Sequence, residues 1–298
     1  MVLDSSINSD IGGIESIRYS AYQPGIYYIR VSSGSASFTS TEPYRLTIHI
    51  TDTSGAPGFS SPHLALGNPS NAASVIDSTR NYLMEKSQYA LSYNSAAGRP
   101  NWVSWHLNSS WLGEIPRQDD FRVDVSLPDA WYRVNENDFS GSGYDRGHSC
   151  PSGDRTVTRT DNSETFLMSN MIAQAPDNNQ GPWADLENYC RDLVIEGKEL
   201  FVISGGYGAN GIVAAGHVSV PARTWKVIVV MNHPGISNIS TATRLIGIDM
   251  PNVNGIRNDD WKNYRVSVDQ IEAATGYDFL SNVSVSIQAV IESAVDNQ

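Results

Sequence analysis

Apolar and polar positions along the chain alternate with two different periods. A period of two, rich in β-branched and aromatic residues, marks GIYYIRVSS (Gly25–Ser33) and YRLTIHIT (Tyr44–Thr51), joined by the Ser/Gly stretch SSGSASFTS. Residues 51–62, TDTSGAPGFSSP, have linker composition. The boundary they imply leaves a short N-terminal β unit at 1–55 and a larger domain at 56–298. PSNAAS (Pro69–Ser74) reads as a loop or short helix. QYALSYN (Gln88–Asn94) and NWVSWHLN (Asn101–Asn108) form a hairpin around Gly98, Arg99 and Pro100, and FRVDVSLP (Phe121–Pro128) follows. KELFVISGGY and TWKVIVVMN are strand runs. The helical period appears in GPWADLENYCRDLVIEG (Gly181–Gly197), where Trp183, Leu186, Cys190, Leu193 and Val194 recur on one side, Pro182 starts the helix and Gly197 stops it. A last helix is predicted across SVDQIEAATG (Ser267–Gly276). No internal repeat is visible. The class is α+β, an antiparallel sheet carrying helices.

Composition narrows this picture. A chain of 298 residues, 40% hydrophobic and 17% charged, suits one large or two modest globular domains. No stretch approaches the length of apolar sequence that a membrane-spanning helix needs. The start, MVLDSSINSD, lacks the basic and apolar regions of a signal peptide, which leaves a cytosolic protein or a leader already removed. Two cysteines, Cys150 and Cys190, make no disulfide framework. A net charge of −12 argues against a nucleic-acid binder, because phosphate backbones are usually met by basic surfaces. An enzyme is a weaker case, since it needs only a local cationic cleft.

Such a cleft has candidates. The run YDRGHSCPSGDR packs Asp145, Arg146, Gly147 and His148 together ahead of a bend at Pro151 and Gly153. It reads either as a proton-transfer site for a phosphate or as a polar turn. The cationic side chains between 117 and 191 are all arginines: Arg117, Arg122, Arg133, Arg146, Arg155, Arg159 and Arg191. A guanidinium fork suits bidentate phosphate contacts, and the alternative is pairing with the many nearby carboxylates. On the helix 181–197, Glu187, Cys190 and Arg191 share one face. Asn178 and Asn179 lie in the loop that feeds it. A neutral amide oxygen with a carboxylate two turns on could hold a hydrated Mg²⁺, which keeps several of its waters; a loop Asn and an exposed helix Glu remain the alternative.

The ordered run YDRGHSCPSGDR…TFLMSNMIAQAPDNNQGPWADLENYCRDL resembles the DNA/RNA non-specific endonucleases, the ββα-metal (His-Me finger) nucleases of the Serratia type, and their cyanobacterial branch most of all. LGNPSNA, NYLMEKSQYALSYN, NWVSWHLNSSWLG, RQDDFR, GKELFVISG, WKVIVV and YRVSVDQIEAATGYDFLSNV extend the likeness from about Pro62 to the C-terminus. The resemblance implies a central antiparallel sheet flanked by helices. It also implies hydrolysis of phosphodiester bonds in DNA and RNA, single or double stranded. His148 matches the general base, Asn179 the direct metal ligand, and Glu187 the carboxylate that holds metal-bound waters. Arg117 and Arg191 match the phosphate-binding arginines, Asp145 and Arg146 the orienting groups, and Asn170 a site asparagine. The implied cofactor is Mg²⁺, with Mn²⁺ or another divalent ion in its place. No base-reading device is apparent, so low sequence specificity is expected.

Other features carry less. Beside the family pattern, Cys150 and Cys190 are either a disulfide tether or two buried thiols. His49, His63, His106, His217 and His233 show no zinc spacing. SGGYGANG lacks the Gly-Lys-Ser/Thr of a phosphate loop. Trp102, Trp105 and Trp111 could stack bases, but their near-alternation favours the core. The N-terminal unit weakly resembles the closing strands of a bacterial pre-peptidase C-terminal-type domain, an extracellular family, which suggests a secreted or periplasmic enzyme. The rival reading is a catalytically decayed nuclease fold acting as a binding or adhesion module; a toxin-like nuclease held by a polypeptide inhibitor is a third.

Overall fold

A computed structural model describes residues 61–298. The β unit expected at 1–55 lies outside the described residues. Strands β1 (Tyr82–Glu85), β2 (Ala90–Asn94) and β3 (Arg99–Leu107) lead into the domain. A separate ribbon follows, β4 (Asp145–His148) and β5 (Met171–Gln174), with α1 (Arg159–Glu164) between its strands. Helices α2 (Pro176–Asn179) and α3 (Pro182–Ile195) come next. Strand β6 (Glu199–Tyr207), the short pair β7 (Ile212–Val213) and β8 (Val218–Ser219), then β9 (Arg223–Met231), β10 (Arg244–Pro251) and β11 (Arg265–Val266) complete the strands. Helices α4 (Val268–Thr275) and α5 (Val285–Ile291) close the chain. The main sheet is seven-stranded and antiparallel in the order β1-β2-β3-β6-β9-β10-β11.

Its central strands are apolar on both faces, which explains why their sequences run apolar instead of alternating. Leu200, Val202, Ile228 and Val230 pack with Trp183, Leu186, Cys190, Leu193 and Val194 of α3. Phe201, Ile203, Val227 and Val229 point the other way, toward Val268 and Ile271 of α4 and Phe279. Burying each of the large α3 side chains contributes about 1.5–3 kcal/mol. The helix expected across Ser267–Gly276 is present: Ser267 and Gln270 form a capping box at its start, and Gly276 ends it with φ 76°. No helix among the described residues is long and apolar enough to cross a membrane.

Several elements differ from the expectations. Asp145–His148 is a strand, not a turn; it pairs with β5 in the register Gly147↔Ile172 and His148↔Met171. The bend follows at Ser152–Asp154, as expected from Pro151 and Gly153. Phe121–Pro128 makes only the single bridge Arg122↔Leu167. There the buried Asp124 carboxylate accepts from the nearby Ser126 and the distant Ser169 and pairs with Lys86, so side-chain bonds take the place of a ladder. Asn178 and Asn179 sit in a one-turn helix, α2, instead of a loop. Strands β1 and β10 and helix α5 were not expected from the sequence pattern. The two cysteines are free thiols in one buried cluster, each pushed up to about 12 by burial.

Candidate active site

Ribbon β4–β5 followed by α3 gathers most of the predicted residues. His148 ends β4. Its ring lies edge-on to Phe121 and Phe166, with centroids 5.5 and 4.8 Å away. Each of those rings carries a guanidinium: Arg146 sits 3.9 Å over Phe121, and Arg117 sits 4.8 Å over Phe166. The imidazole is thus enclosed by apolar rings beneath two positive charges. Burial first, then Arg117 and Arg146, pull its pKa down to about 3. It is neutral at physiological pH, and its Nε2 is enclosed without a hydrogen-bond partner.

The same ribbon anchors the asparagine. Asp145 Oδ2 accepts from Asn179 Nδ2 at 2.9 Å and from Gln180 Nε2 at 2.7 Å. The amide nitrogen of Asn179 is therefore engaged, and its Oδ1 is the end left for another partner. Asn179, Asp145, Arg146, Arg117 and Phe121 line one cavity of about 450 Å³. Gly147 permits the supporting arrangement. A Cβ there would collide with Gln174 Oε1, and the Gln174 amide donates to Asn178, which precedes Asn179.

Glu187 and Arg191 lie one turn apart on α3. Arg191 donates to Asp154 Oδ1 at 2.8 Å, and Trp105 Nε1 donates to the other oxygen of Asp154 at 2.9 Å. Arg117 donates to Ser152 Oγ at 3.0 Å. The bend after His148 thus positions two predicted phosphate ligands, through Ser152 and Asp154. Glu187 accepts from Lys226 of β9 at 2.8 Å. The lysine side chain is 1% exposed and its ammonium lies 3.8 Å from the Trp183 ring. Burial pushes the Glu187 carboxyl up, while Lys226 and then Arg191 act to lower it.

The profile of the DNA/RNA non-specific endonuclease family matches residues 67–286. The chain belongs to that family. It is 55% identical over 239 residues to a nuclease of Nostoc sp., covering 80% of this chain and 87% of that protein. It is 32% identical over 205 residues to the mitochondrial nuclease EXOG of Danio rerio; this covers 64% of the chain and 58% of EXOG, so the chain spans little more than half of that relative. A chain of the EndoG/EndoGI complex, solved for the mechanism of EndoG inhibition, superposes with a TM-score of 0.63 at 25% identity, over 74% of this chain and 91% of that one.

Within this endonuclease, the predicted residues fall into three groups. Arg117, Asp145, Arg146 and Asn179 line the cavity, and the His148 ring packs against Phe121 of its wall. Arg191 on α3 is tied to the bend through Asp154, and Glu187, one turn before it, pairs with Lys226. Asn170 is different: fully buried, it donates to the carbonyls of Cys150 and Thr165 and accepts from the Cys150 amide. Its side chain is fully occupied by backbone, so it holds the segment after His148 in place and has no atom left for substrate. Of the remaining arginines, Arg155 donates to the carbonyls of Gln88 and His106, Arg122 pairs with Asp120 and Glu164, and Arg133 pairs with Asp129. Trp102 and Trp105 are core residues, and His106 is buried against Glu199 at 2.6 Å. Sequence reasoning missed Lys226 and Asp154. A lone lysine inside the apolar run TWKVIVVMN was the available signal, because a buried charge demands a partner.

Proposed function

We propose that this endonuclease cleaves DNA and RNA at the cavity between β4 and α2, with His148 as general base. The observation that carries the reading is an imidazole enclosed by two aromatic rings that each carry a guanidinium, at the end of the same strand whose Asp145 anchors an asparagine with a free carbonyl oxygen. A base must be unprotonated at working pH and gains force as its pKa approaches that pH; burial and the two guanidiniums keep His148 neutral, and a phosphate anion bound by those guanidiniums would offset their charge and raise its basicity. Arg117 and Arg146 meet the scissile phosphate and offset its developing charge; Arg191, held by Asp154, supports them from α3. Asp145 orients the Asn179 amide.

The Asn179 oxygen is a hard, neutral donor and fits a hydrated Mg²⁺, with Mn²⁺ as a substitute. Glu187 would hold waters of that ion. When bound, such an ion supplies charge neutralisation at phosphate oxygens and an acidic water for the leaving group. Everything else at the site is done by the chain's own side chains. Contacts to phosphate alone read neither the base sequence nor the 2′-OH that distinguishes RNA from DNA, so both DNA and RNA serve as substrates. The superposed EndoG chain was solved together with EndoGI to explain EndoG inhibition. That pairing supports a further reading, that a polypeptide inhibitor covers this cavity. The resemblance of the N-terminal unit to extracellular modules supports a secreted or periplasmic location, testable by assaying culture fractions.

The test is cleavage of supercoiled plasmid and of RNA with Mg²⁺ or with EDTA, comparing wild type with His148→Ala and Asn179→Ala. Metal-dependent cleavage that falls by orders of magnitude in His148→Ala is expected. Full activity in that variant would remove the assignment of the base.

A further inference from the structure

Outside the active site, α4 and the end of α5 bring three carboxylates together. Asp269 and Glu272 are three residues apart on α4 and share its face. Glu292 caps the C-terminus of α5, and its carbonyl accepts from the Asp269 amide at 3.1 Å, so the two segments are already tied by backbone. One oxygen from each of the three side chains lies within 4.8 Å of the others. Glu292 is 4% exposed, and its Oε1 is enclosed without any hydrogen-bond partner. Such an oxygen costs free energy unless something occupies it. Among the described residues no cationic side chain supplies that partner: Glu272, Asp269 and Asp278, all acidic, are the charges that bear on Glu292. Arg244 and Arg265 are both engaged by Asp296.

We infer that Asp269, Glu272 and Glu292 form a second, structural cation site that binds Ca²⁺ and clamps the C-terminal segment to α4. The chemistry favours calcium over the other hard cations. Ca²⁺ accepts six to eight oxygen ligands in a flexible geometry, whereas Mg²⁺ demands a near-ideal octahedron and keeps several of its waters. Three carboxylates also exceed what Mg²⁺ usually takes from protein. The Glu272 carboxylate additionally accepts from the Phe279 amide at 2.9 Å, which holds it in place for binding. A proton on Glu292 is the competing occupant, because burial and its acidic neighbours push this carboxyl up to about 8.

The test uses the full chain, stripped with chelator and titrated with calcium chloride. Binding is read by calorimetry and unfolding by differential scanning fluorimetry. Three variants accompany the wild type: Glu292→Gln, Glu272→Gln, and Asn179→Ala to remove the ligand proposed at the active site. The expected result is a calcium-binding event that persists in Asn179→Ala and disappears in both glutamine variants. Saturating calcium should raise the wild-type melting temperature by roughly 5 °C and leave that of the glutamine variants unmoved. Glu292→Gln is isosteric and relieves repulsion, so it should melt above the chelated wild type, which keeps the comparison free of misfolding. Calcium binding lost only in Asn179→Ala, or an equal thermal response in wild type and Glu292→Gln, would overturn the inference and leave the protonated carboxyl as the occupant.

Discussion

Replacing Lys226 with methionine isolates the buried cation that supports Glu187. The change keeps the side-chain length and the contact with Trp183 and removes the charge. The lysine side chain is 1% exposed and its Glu187 partner 15%, at 2.8 Å. Breaking such a pair leaves a largely buried carboxylate uncompensated, which costs about 3–5 kcal/mol. For a domain of this size that is a melting-temperature drop of roughly 6–20 °C. Glu187 can escape part of the cost by taking a proton, because its carboxyl is already pushed up by burial. The activity that depends on the ionised carboxylate should then appear only at higher pH than in the wild type. Plasmid nicking followed from about pH 5 to 9, a span that brackets ordinary and raised carboxyl values, reads this effect, and fluorimetry reads the melting. The double variant Lys226→Met/Glu187→Gln removes both charges and should recover much of the lost stability without recovering activity. A Lys226→Met enzyme with wild-type melting and an unshifted pH profile would refute the view that this ion pair positions Glu187.

Asn170→Ala should behave as a packing defect, since three buried backbone bonds depend on that amide; a loss of about 2–4 kcal/mol in urea unfolding is expected, and any residual folded enzyme should retain its metal dependence. His63 and His148 are both pulled down to about 3, by burial before any neighbouring charge. They are neutral when folded and protonate near pH 6.5 when unfolded, so their contribution is complete above about 6.5 and fades as pH falls toward 3. Melting temperature should therefore decline with acid below about pH 6.5, and less steeply in His63→Gln. Cys150 and Cys190 are buried free thiols, so dithiothreitol should leave the melting temperature unchanged and iodoacetamide should label neither in the native state. Gly147→Ala would drive a methyl into Gln174; weakened divalent-ion binding through Asn178 and Asn179, measured by calorimetry, is expected.

How much of this was legible in the sequence depends on the range of the interaction. Helix α3 was visible because its apolar spacing, Pro182 and Gly197 are local signals, and α4 was legible as a helix across Ser267–Gly276. The strand character of Asp145–His148 was not visible, because four residues of mixed polarity gain their ladder only from Met171–Gln174, a partner more than twenty residues away. The supports of the site were hidden for the same reason. Lys226 reaches Glu187 across 39 residues, Arg191 reaches Asp154 across 37, and no spacing rule connects them. The resemblance to a family supplied the names of the residues and of one anchor, Asp145, but not of Lys226 or Asp154.

A global charge count misleads for a site of this kind. A net charge of −12 discourages a polyanionic substrate over the whole surface. At the site, however, the carboxylates work on the protein's own cations and amides: Asp154 fixes Arg191, Asp145 fixes Asn179 and Gln180, and Asp119 holds Arg117 at 2.6 Å. Arg146 has no carboxylate partner within ion-pair distance among the described residues, and it is the guanidinium stacked on the aromatic wall beside His148. The acidic residues thus orient the groups that would meet phosphate, and Arg146 and Arg117 line the cavity alongside Asp119, Glu136 and Asp145. Raising ionic strength should accordingly weaken substrate binding with a shallow slope, as for a few phosphate contacts instead of a broad basic surface. A steep salt dependence, like that of an extended cationic groove, would mean that the 450 Å³ cavity is not where the backbone is gripped.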